Sequence, residues 1–376
     1  MTFISKSELS IDLIAKGKPD SHVRVLHFPT ASEVVHALFR EGAPKALILA
    51  PGDIPDWMPS ENQLAEISKL DQTQIGIFTS GTTGEPRLHF HPIQSLLRGL
   101  KPIHDAETWG LLYAPDRMAG LQVVFQAAIS GANLSAPART ATLVEKIEIF
   151  CRDGVDGLSA TPSFWRQILG TREKNKLKLR YASVGGEIAT QELLDELVMA
   201  FPQAQITHVF ATTESGPVFS VSDQKSGFPL EYVGRIHKSG VIPRLEAGEL
   251  VLETSNASGD RKLIPTGDLV EVRNQRVLFV GRKDDLVNIG GNKISLHRIE
   301  EAFLSLGVAQ DCVARTKPNH ILGNAITLDV VWRDGKLSES EVRKLLSDKL
   351  PRYALPVSIN SIEEITKSSS QKKKRT

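Results

Sequence analysis

Between Gly110 and Glu214 the chain repeats one local pattern, a short apolar run, a turn of small or polar residues, and an amphipathic stretch. Gly110-Leu111-Leu112-Tyr113-Ala114 reads as a strand and ends in Pro115-Asp116-Arg117-Met118-Ala119-Gly120; a buried helix over Leu121–Ile129, closed by Gly131, follows. Leu143–Cys151 has helical spacing, and Gly157–Ala160 then runs into Thr161-Pro162-Ser163 before a helix over Phe164–Leu169. Leu179–Val184 leads into Gly185-Gly186-Glu187 and a helix over Gln191–Ala200, and Ile206–Phe210 passes directly into Ala211-Thr212-Thr213-Glu214. Strands alternating with helices predict a mostly parallel sheet covered on both faces. Such sheets bind ligands outside the carboxyl ends of their strands, where these turns fall. A Gly-Gly pair is equally a tight strand-to-helix turn, and Glu214 equally an exposed charge or helix cap.

Upstream, the apolar run Ile75-Gly76-Ile77-Phe78 feeds Thr79-Ser80-Gly81-Thr82-Thr83-Gly84-Glu85-Pro86-Arg87. Without bulky side chains the backbone N–H groups of such a loop can approach an anion closely, and the hydroxyls add donors. Pro86 stops the loop and Arg87 sets a permanent positive charge at its exit. The composition is that of a phosphate cradle, although it lacks the Gly-x-x-x-x-Gly-Lys-Ser/Thr spacing of a Walker loop. A flexible surface turn between two strands is the other reading of such a cluster.

At 376 residues the chain is long enough for two or three domains. Its 45 basic and 44 acidic residues leave a net charge of +1, so no global field favours nucleic acid or a membrane surface. Cys151 and Cys312 form no metal-ligand spacing and read as reduced thiols in a reducing compartment. The N-terminus carries no apolar signal region and no run reaches transmembrane length, so the expected compartment is the cytoplasm.

Residues 1 to 70 or so mix short apolar runs with an amphipathic stretch near Ala31–Arg40, a small α/β start; a helix is expected over Gln94–Leu100. Between Gly216 and Val280 the period becomes two, in Gly248–Glu253, Leu269–Val272 and Val277–Val280, which suggests an antiparallel, barrel-like subdomain. Within it lies Pro265-Thr266-Gly267-Asp268, readable as an Asx-type turn. Beyond Gly281-Arg282-Lys283-Asp284-Asp285 and the Gly290-Gly291-Asn292-Lys293 turn, helices near Ile299–Leu306 and Glu339–Asp348 and strands near Asp311–Arg315 and Ala325–Val331 make a small α+β unit.

The Thr79–Arg87 string closely resembles the phosphate-loop signature of the adenylate-forming superfamily, which comprises acyl- and aryl-CoA ligases, nonribosomal-peptide adenylation domains and luciferases. That signature reads Thr-Ser-Gly-Thr-Thr-Gly-x-Pro-Lys, and here Arg87 replaces the Lys. Phe210-Ala211-Thr212-Thr213-Glu214 resembles the family's Tyr-Gly-x-Thr-Glu, Thr266-Gly267-Asp268 its Thr-Gly-Asp, and Gly281–Asp285 its Gly-Arg-x-Asp-Asp. Leu350–Pro356 is close to Leu-Pro-x-Tyr-x-x-Pro. These motifs occur in the family's order from about residue 72 to the C-terminus, while the segment before the phosphate loop looks shorter than in relatives. The resemblance implies a large α/β N-terminal domain, residues 1–283, with mostly parallel sheets, helices and a small β-barrel-like subdomain. A mobile, small α+β C-terminal domain, 284–376, would follow.

By the same resemblance, Thr79, Ser80, Gly81, Thr82, Thr83, Gly84 and Arg87 hold phosphates, and Gly185, Gly186 and Glu187 lie against adenine. Phe210 stacks on the base beside Ala211 and Thr212, Thr213 meets the α-phosphate, and Glu214 holds Mg²⁺. Asp268 and Arg282 bind the ribose, and Asp284 is the hinge. Lys293 takes the place of an Arg in the Gly-rich loop, and Lys372 that of the tail lysine, within a tail that lacks the family's Pro and Gly. A solvated basic segment is the tail's alternative reading. Arg117, Met118 and Trp165, with Phe164, border the acyl pocket; Arg117 stands where relatives carry His and either pairs with a second substrate carboxylate or is a solvated loop charge. The implied activity is AMP-forming acid–thiol ligation, using ATP, Mg²⁺ and a small carboxylic acid. CoA is the expected acceptor, with the phosphopantetheine of a separate carrier protein as the alternative. A degenerate nucleotide- or acyl-AMP-binding protein is the rival from outside enzymology.

Overall fold

A computed structural model describes residues 2–9, 20–27, 29–39, 44–50, 59–68, 73–78, 87–255, 261–333 and 335–365. After an edge strand, β1 (Thr2–Ile4), the first unit comprises β2 (Asp20–His27), α1 (Ala31–Phe39), β3 (Pro44–Ala50), α2 (Glu61–Ser68), β4 (Gln74–Phe78) and β5 (Leu88–Pro92). Its sheet runs β2-β3-β4-β5, parallel except for β5, which returns antiparallel to β4. β4 is buried along its whole length, as its unbroken apolar run requires. The 79–86 segment therefore spans two antiparallel strands whose last described pair is Phe78 and Leu88.

Beyond α3 (Ile93–Arg98) lies the repeated region. It contains β6 (Thr108–Leu111), α4 (Met118–Ser130), β7 (Asn133–Ala136), α5 (Leu143–Arg152), β8 (Gly157–Ala160), α6 (Pro162–Gly170), β9 (Tyr181–Gly185), α7 (Gln191–Ala200), β10 (Gln205–Thr212) and β11 (Gly216–Val221). The seven-stranded order is β1-β7-β6-β8-β9-β10-β11. Its interior pairings are parallel, and β1 and β11 close the two edges antiparallel. Helix starts follow from local chemistry. Thr142 and Glu145 form a capping box on α5, and the Thr161 hydroxyl accepts the Phe164 N–H ahead of Pro162 at the first turn of α6.

The period-two region becomes β12 (Phe228–Pro229), β13 (Ile242–Glu246), β14 (Glu249–Ser255), β15 (Arg261–Arg273) and β16 (Arg276–Arg282), in the antiparallel order β12-β16-β15-β14-β13. Asn274 and Gln275, at φ 48° and 59°, make the tight turn between β15 and β16. The last unit holds the hairpin β17 (Leu286–Ile289) and β18 (Asn292–Ser295), then α8 (Leu296–Leu304), β19 (Ala309–Asn319), β20 (Gly323–Trp332), α9 (Glu339–Leu346) and β21 (Ser358–Ser361). Its core, which includes Ile299, Phe303, Ile326, Leu328, Val342 and Ala354, is drawn from residues 287–359 alone.

Candidate active site

The glycine- and hydroxyl-rich segment, 79–86, and the tail with Lys372 lie outside the described residues. What flanks them is described. Arg87 is exposed at the entry to β5. Four residues on, His91 is buried, and its Nε2 lies 2.7 Å from the Thr213 carbonyl oxygen, 122 positions away. A carbonyl only accepts, so Nε2 carries the proton. Burial lowers the His91 pKa, opposed by the hydrogen bond to Thr213 and assisted by His89, so the ring is neutral at pH 7. Sequence reasoning passed over this residue; the signal open to it was His-x-His on the strand leaving the loop.

Thr212, Thr213 and Glu214 form the reversal between β10 and β11. The Thr212 hydroxyl accepts the Ser215 N–H at 3.0 Å, and Gly216 takes φ +70° to begin β11. Glu214 is exposed. Val209 is in register with Gly185, so the neighbouring strand end carries the Gly185–Glu187 turn. Gly186 adopts φ +82°, which glycine meets without strain. Glu187 accepts from both the N–H and the hydroxyl of Ser163, at 2.9 and 2.7 Å, tying this turn to the start of α6. Tyr113 is buried beside it, with its hydroxyl 3.5 Å from the Gly185 carbonyl. Burial, the larger cause, and the Glu187 charge push the phenol far above its ordinary range, so Tyr113 stays protonated.

Arg117 is only 7% exposed and precedes α4, its N–H donating to the Ala114 carbonyl. Burial excludes the solvated loop charge. Met118, on the first turn of α4, is also buried, and Asp116 beside Arg117 pairs with Arg139 at 2.6 Å. One expected pocket residue is placed in the core. Trp165 has no exposed surface; its indole donates to the Ser183 carbonyl and packs against Phe201 in the core between α6 and α7. Phe164 is buried in the same cluster. Phe210 stacks with Phe219 at 5.2 Å and Phe279 at 5.4 Å. These neighbours join it to the edge of the core shared with the five-stranded sheet, and the ring is only half-buried.

The two residues expected at a ribose are brought together. Asp268 and Arg282 face each other across β15 and β16, with Arg282 Nη1 donating to the Asp268 carboxylate at 3.0 Å and Nη2 to the Thr266 carbonyl at 3.2 Å. Thr266 Oγ1 accepts the Asp268 N–H, and the Gly267 N–H donates to Glu249, which also pairs with Lys283. Asp284 follows in the helical turn Lys283–Asp285, 3.9 Å from Arg282. Lys293 is exposed on β18, opposite Asn288.

Among the described residues no group of three or more His, Cys, Asp and Glu side chains can hold a metal. Glu214 offers a single carboxylate, which suits a magnesium ion that takes most of its ligands from substrate phosphates and water.

Residues 5–254 match the AMP-binding enzyme family, and the chain belongs to this family of adenylate-forming enzymes. The match begins well before residue 72, so the segment ahead of the phosphate loop is part of it. The chain is 26% identical to 2-succinylbenzoate–CoA ligase of Bacillus pumilus, over 81% of this chain and 68% of that one. It is 28% identical to the L-allo-isoleucine:holo-[CmaA peptidyl-carrier protein] ligase of Pseudomonas savastanoi pv. glycinea, over 56% and 41%. Against three large Bacillus synthases it spans only 8–14% of their length. ATP-bound MatB from Rhodopseudomonas palustris shares the fold, with a TM-score of 0.67 over 98% of this chain and 90% of that one, at 15% identity. No helix of the described residues is long and apolar enough to cross a membrane.

Proposed function

We propose that this chain activates a carboxylic acid with ATP and passes the acyl group to a thiol. In the first half a carboxylate oxygen attacks the α-phosphorus, and the bond to pyrophosphate breaks. In the second the thiol sulfur attacks the acyl carbon of the acyl-adenylate, and AMP leaves. The observation that carries the reading is the position of the Thr79–Arg87 segment between β4 and β5, with its exit strand tied to the Thr212–Glu214 reversal. Preorganised positive charge and donors at the phosphates are what such a transfer needs, and hydroxyls, backbone N–H groups and Arg87 supply them. Asp268, buried, and Arg282, half-exposed, form a polar pair suited to ribose hydroxyls, and Glu214 would hold the magnesium ion, which neutralises phosphate charge when bound. Arg117 supplies a buried cation beside the Ala114–Met118 turn.

CoA is the proposed acceptor, in keeping with the CoA-ligase relative; the relative named for a holo-peptidyl-carrier protein favours a carrier thiol as the second reading. Cys151 and Cys312 are not joined in a disulfide, in keeping with the proposed work in a reducing cytoplasm. ATP–pyrophosphate exchange with a panel of carboxylic acids tests the first half, and adding CoA or a holo-carrier protein identifies the acceptor. Glu214→Gln should lower exchange by about 10²-fold and alter its Mg²⁺ dependence while leaving the melting temperature unchanged. Exchange and Mg²⁺ dependence both unaltered in that variant would remove Glu214 from the site, and no exchange with any acid in the unaltered protein would overturn the reading.

A further inference from the structure

We propose that His91 is a positioning residue, whose imidazole fixes the Thr212–Glu214 reversal relative to the strand that leaves the phosphate loop. This rests on the adenylation reading and adds a residue to it. The two segments come from different sheets. β5 is the last strand of the four-stranded sheet, and β10 lies in the seven-stranded one. Each end needs fixing, because Thr213 and Glu214 sit in a reversal where the β10–β11 register is irregular, between Phe210 and Ala211.

His91 is well placed to do it. Its own backbone is held in register with Ile75 of β4, the strand that enters the loop. Its Nε2–H then reaches the Thr213 carbonyl at 2.7 Å in a buried setting, where a hydrogen bond has little competition from water. Packing brings the same elements together nearby. A Cβ on Gly99 would lie 2.7 Å from Pro217, and one on Gly216 would lie 3.4 Å from Leu96 of α3. These contacts set the spacing of α3 and β11 but do not reach the Thr213 peptide. The His91 bond fixes that peptide, and with it the direction of the Thr213 and Glu214 side chains. A displacement of about 1 Å at such groups costs on the order of 10²-fold in rate.

The test compares His91→Leu, which keeps volume and removes the donor, with His91→Gln, whose side-chain amide restores a donor at similar reach. Three quantities are read: the kcat and KM for ATP in pyrophosphate exchange, the melting temperature, and amide hydrogen exchange over residues 212–216. His91→Leu should lower kcat or raise KM for ATP by tenfold or more and speed amide exchange at the reversal, with KM for the acid little changed. His91→Gln should recover most of both effects, even though the two variants melt alike. If the variants behave identically, or activity merely follows melting temperature, His91 is a structural residue and the proposal falls. An unaltered protein that neither exchanges pyrophosphate nor binds Mg-ATP would overturn the adenylation reading together with this one. An active protein with a wild-type-like His91→Leu variant would overturn this one alone.

Discussion

His208 shows how one buried group ties stability to pH. It sits on β10 facing the five-stranded sheet, edge-on to Phe279, and burial pushes its pKa down to about 4, against a smaller opposing hydrogen bond that the ring donates to the Gly227 backbone. The unfolded chain binds a proton near pH 6.5, whereas the folded one resists until about pH 4. The folded state thus has the full benefit of a neutral His208 above pH 6.5 and loses it as pH falls toward 4. The loss should be on the order of 2–3 kcal/mol. Denaturant titrations at pH 7, 5.5 and 4.5 should therefore show a shallower acid slope in His208→Gln than in the unaltered protein. Parallel slopes would mean that His208 already titrates near its ordinary value. His91 and His237, whose pKa values burial also lowers, add to acid sensitivity in the same direction.

At the scale of elements, Gly120 sets two effects against each other. Alanine in a helix is favoured over glycine by about 1 kcal/mol, so propensity alone predicts that Gly120→Ala stabilises α4. A Cβ there would, however, lie 2.1 Å from the Ala114 carbonyl oxygen and 2.7 Å from its carbon. Those are backbone atoms of the turn that carries Arg117 and cannot rotate aside, and overpacking of this kind costs about 1–3 kcal/mol. The clash should win, and urea midpoints should fall in Gly120→Ala; a raised midpoint would show that α4 and the turn stand further apart. Elements of this kind were legible in the sequence. The strand–turn–helix repeats from Gly110 to Glu214 gave the parallel sheet because each short, largely apolar strand runs through a turn into a helix bounded by a Thr N-cap or, for α4, by Gly131 at its C-terminus. Strands β1, β5 and β7 were not legible, since they are three to five residues long and β5 alternates His with apolar residues. The Asp268–Arg282 pair, proposed for a ribose, could be read from motif order, and the two side chains do meet. The fate of Trp165 could not, because an aromatic at a helix start looks the same in sequence whether it faces a ligand or a core.

The whole molecule poses the question of how its two halves meet. The elements after Arg282 have their own core and touch the rest through polar groups. Arg166 of α6 lies 3.9 Å from Asp311 of β19 with both buried, the Gln310 amide donates to the Arg166 carbonyl, and Arg333 pairs with Glu196 of α7 at 2.5 Å. Buried ion pairs return little net stability after desolvation, so a docking surface of this kind can be exchanged for another. The connection runs through Gly281, at φ +141°, with Ser295 packed where a Cβ would stand, and then through Asp284. A proposed rotation at Asp284 would give the two half-reactions different partners from the C-terminal elements. Lys372, outside the described residues, would act only while charge develops on the carboxylate oxygen and α-phosphate. Lys372→Ala should therefore abolish pyrophosphate exchange yet still convert supplied acyl-adenylate into thioester. Asp284→Pro, which fixes φ near −65° at the hinge, should keep exchange and lose thioester formation. Because Lys373 and Lys374 follow directly, the single variant should be run beside one replacing all three lysines. Full exchange in the triple variant would assign the tail to solvent, and retention of both half-reactions in Asp284→Pro would mean that they share one fixed arrangement.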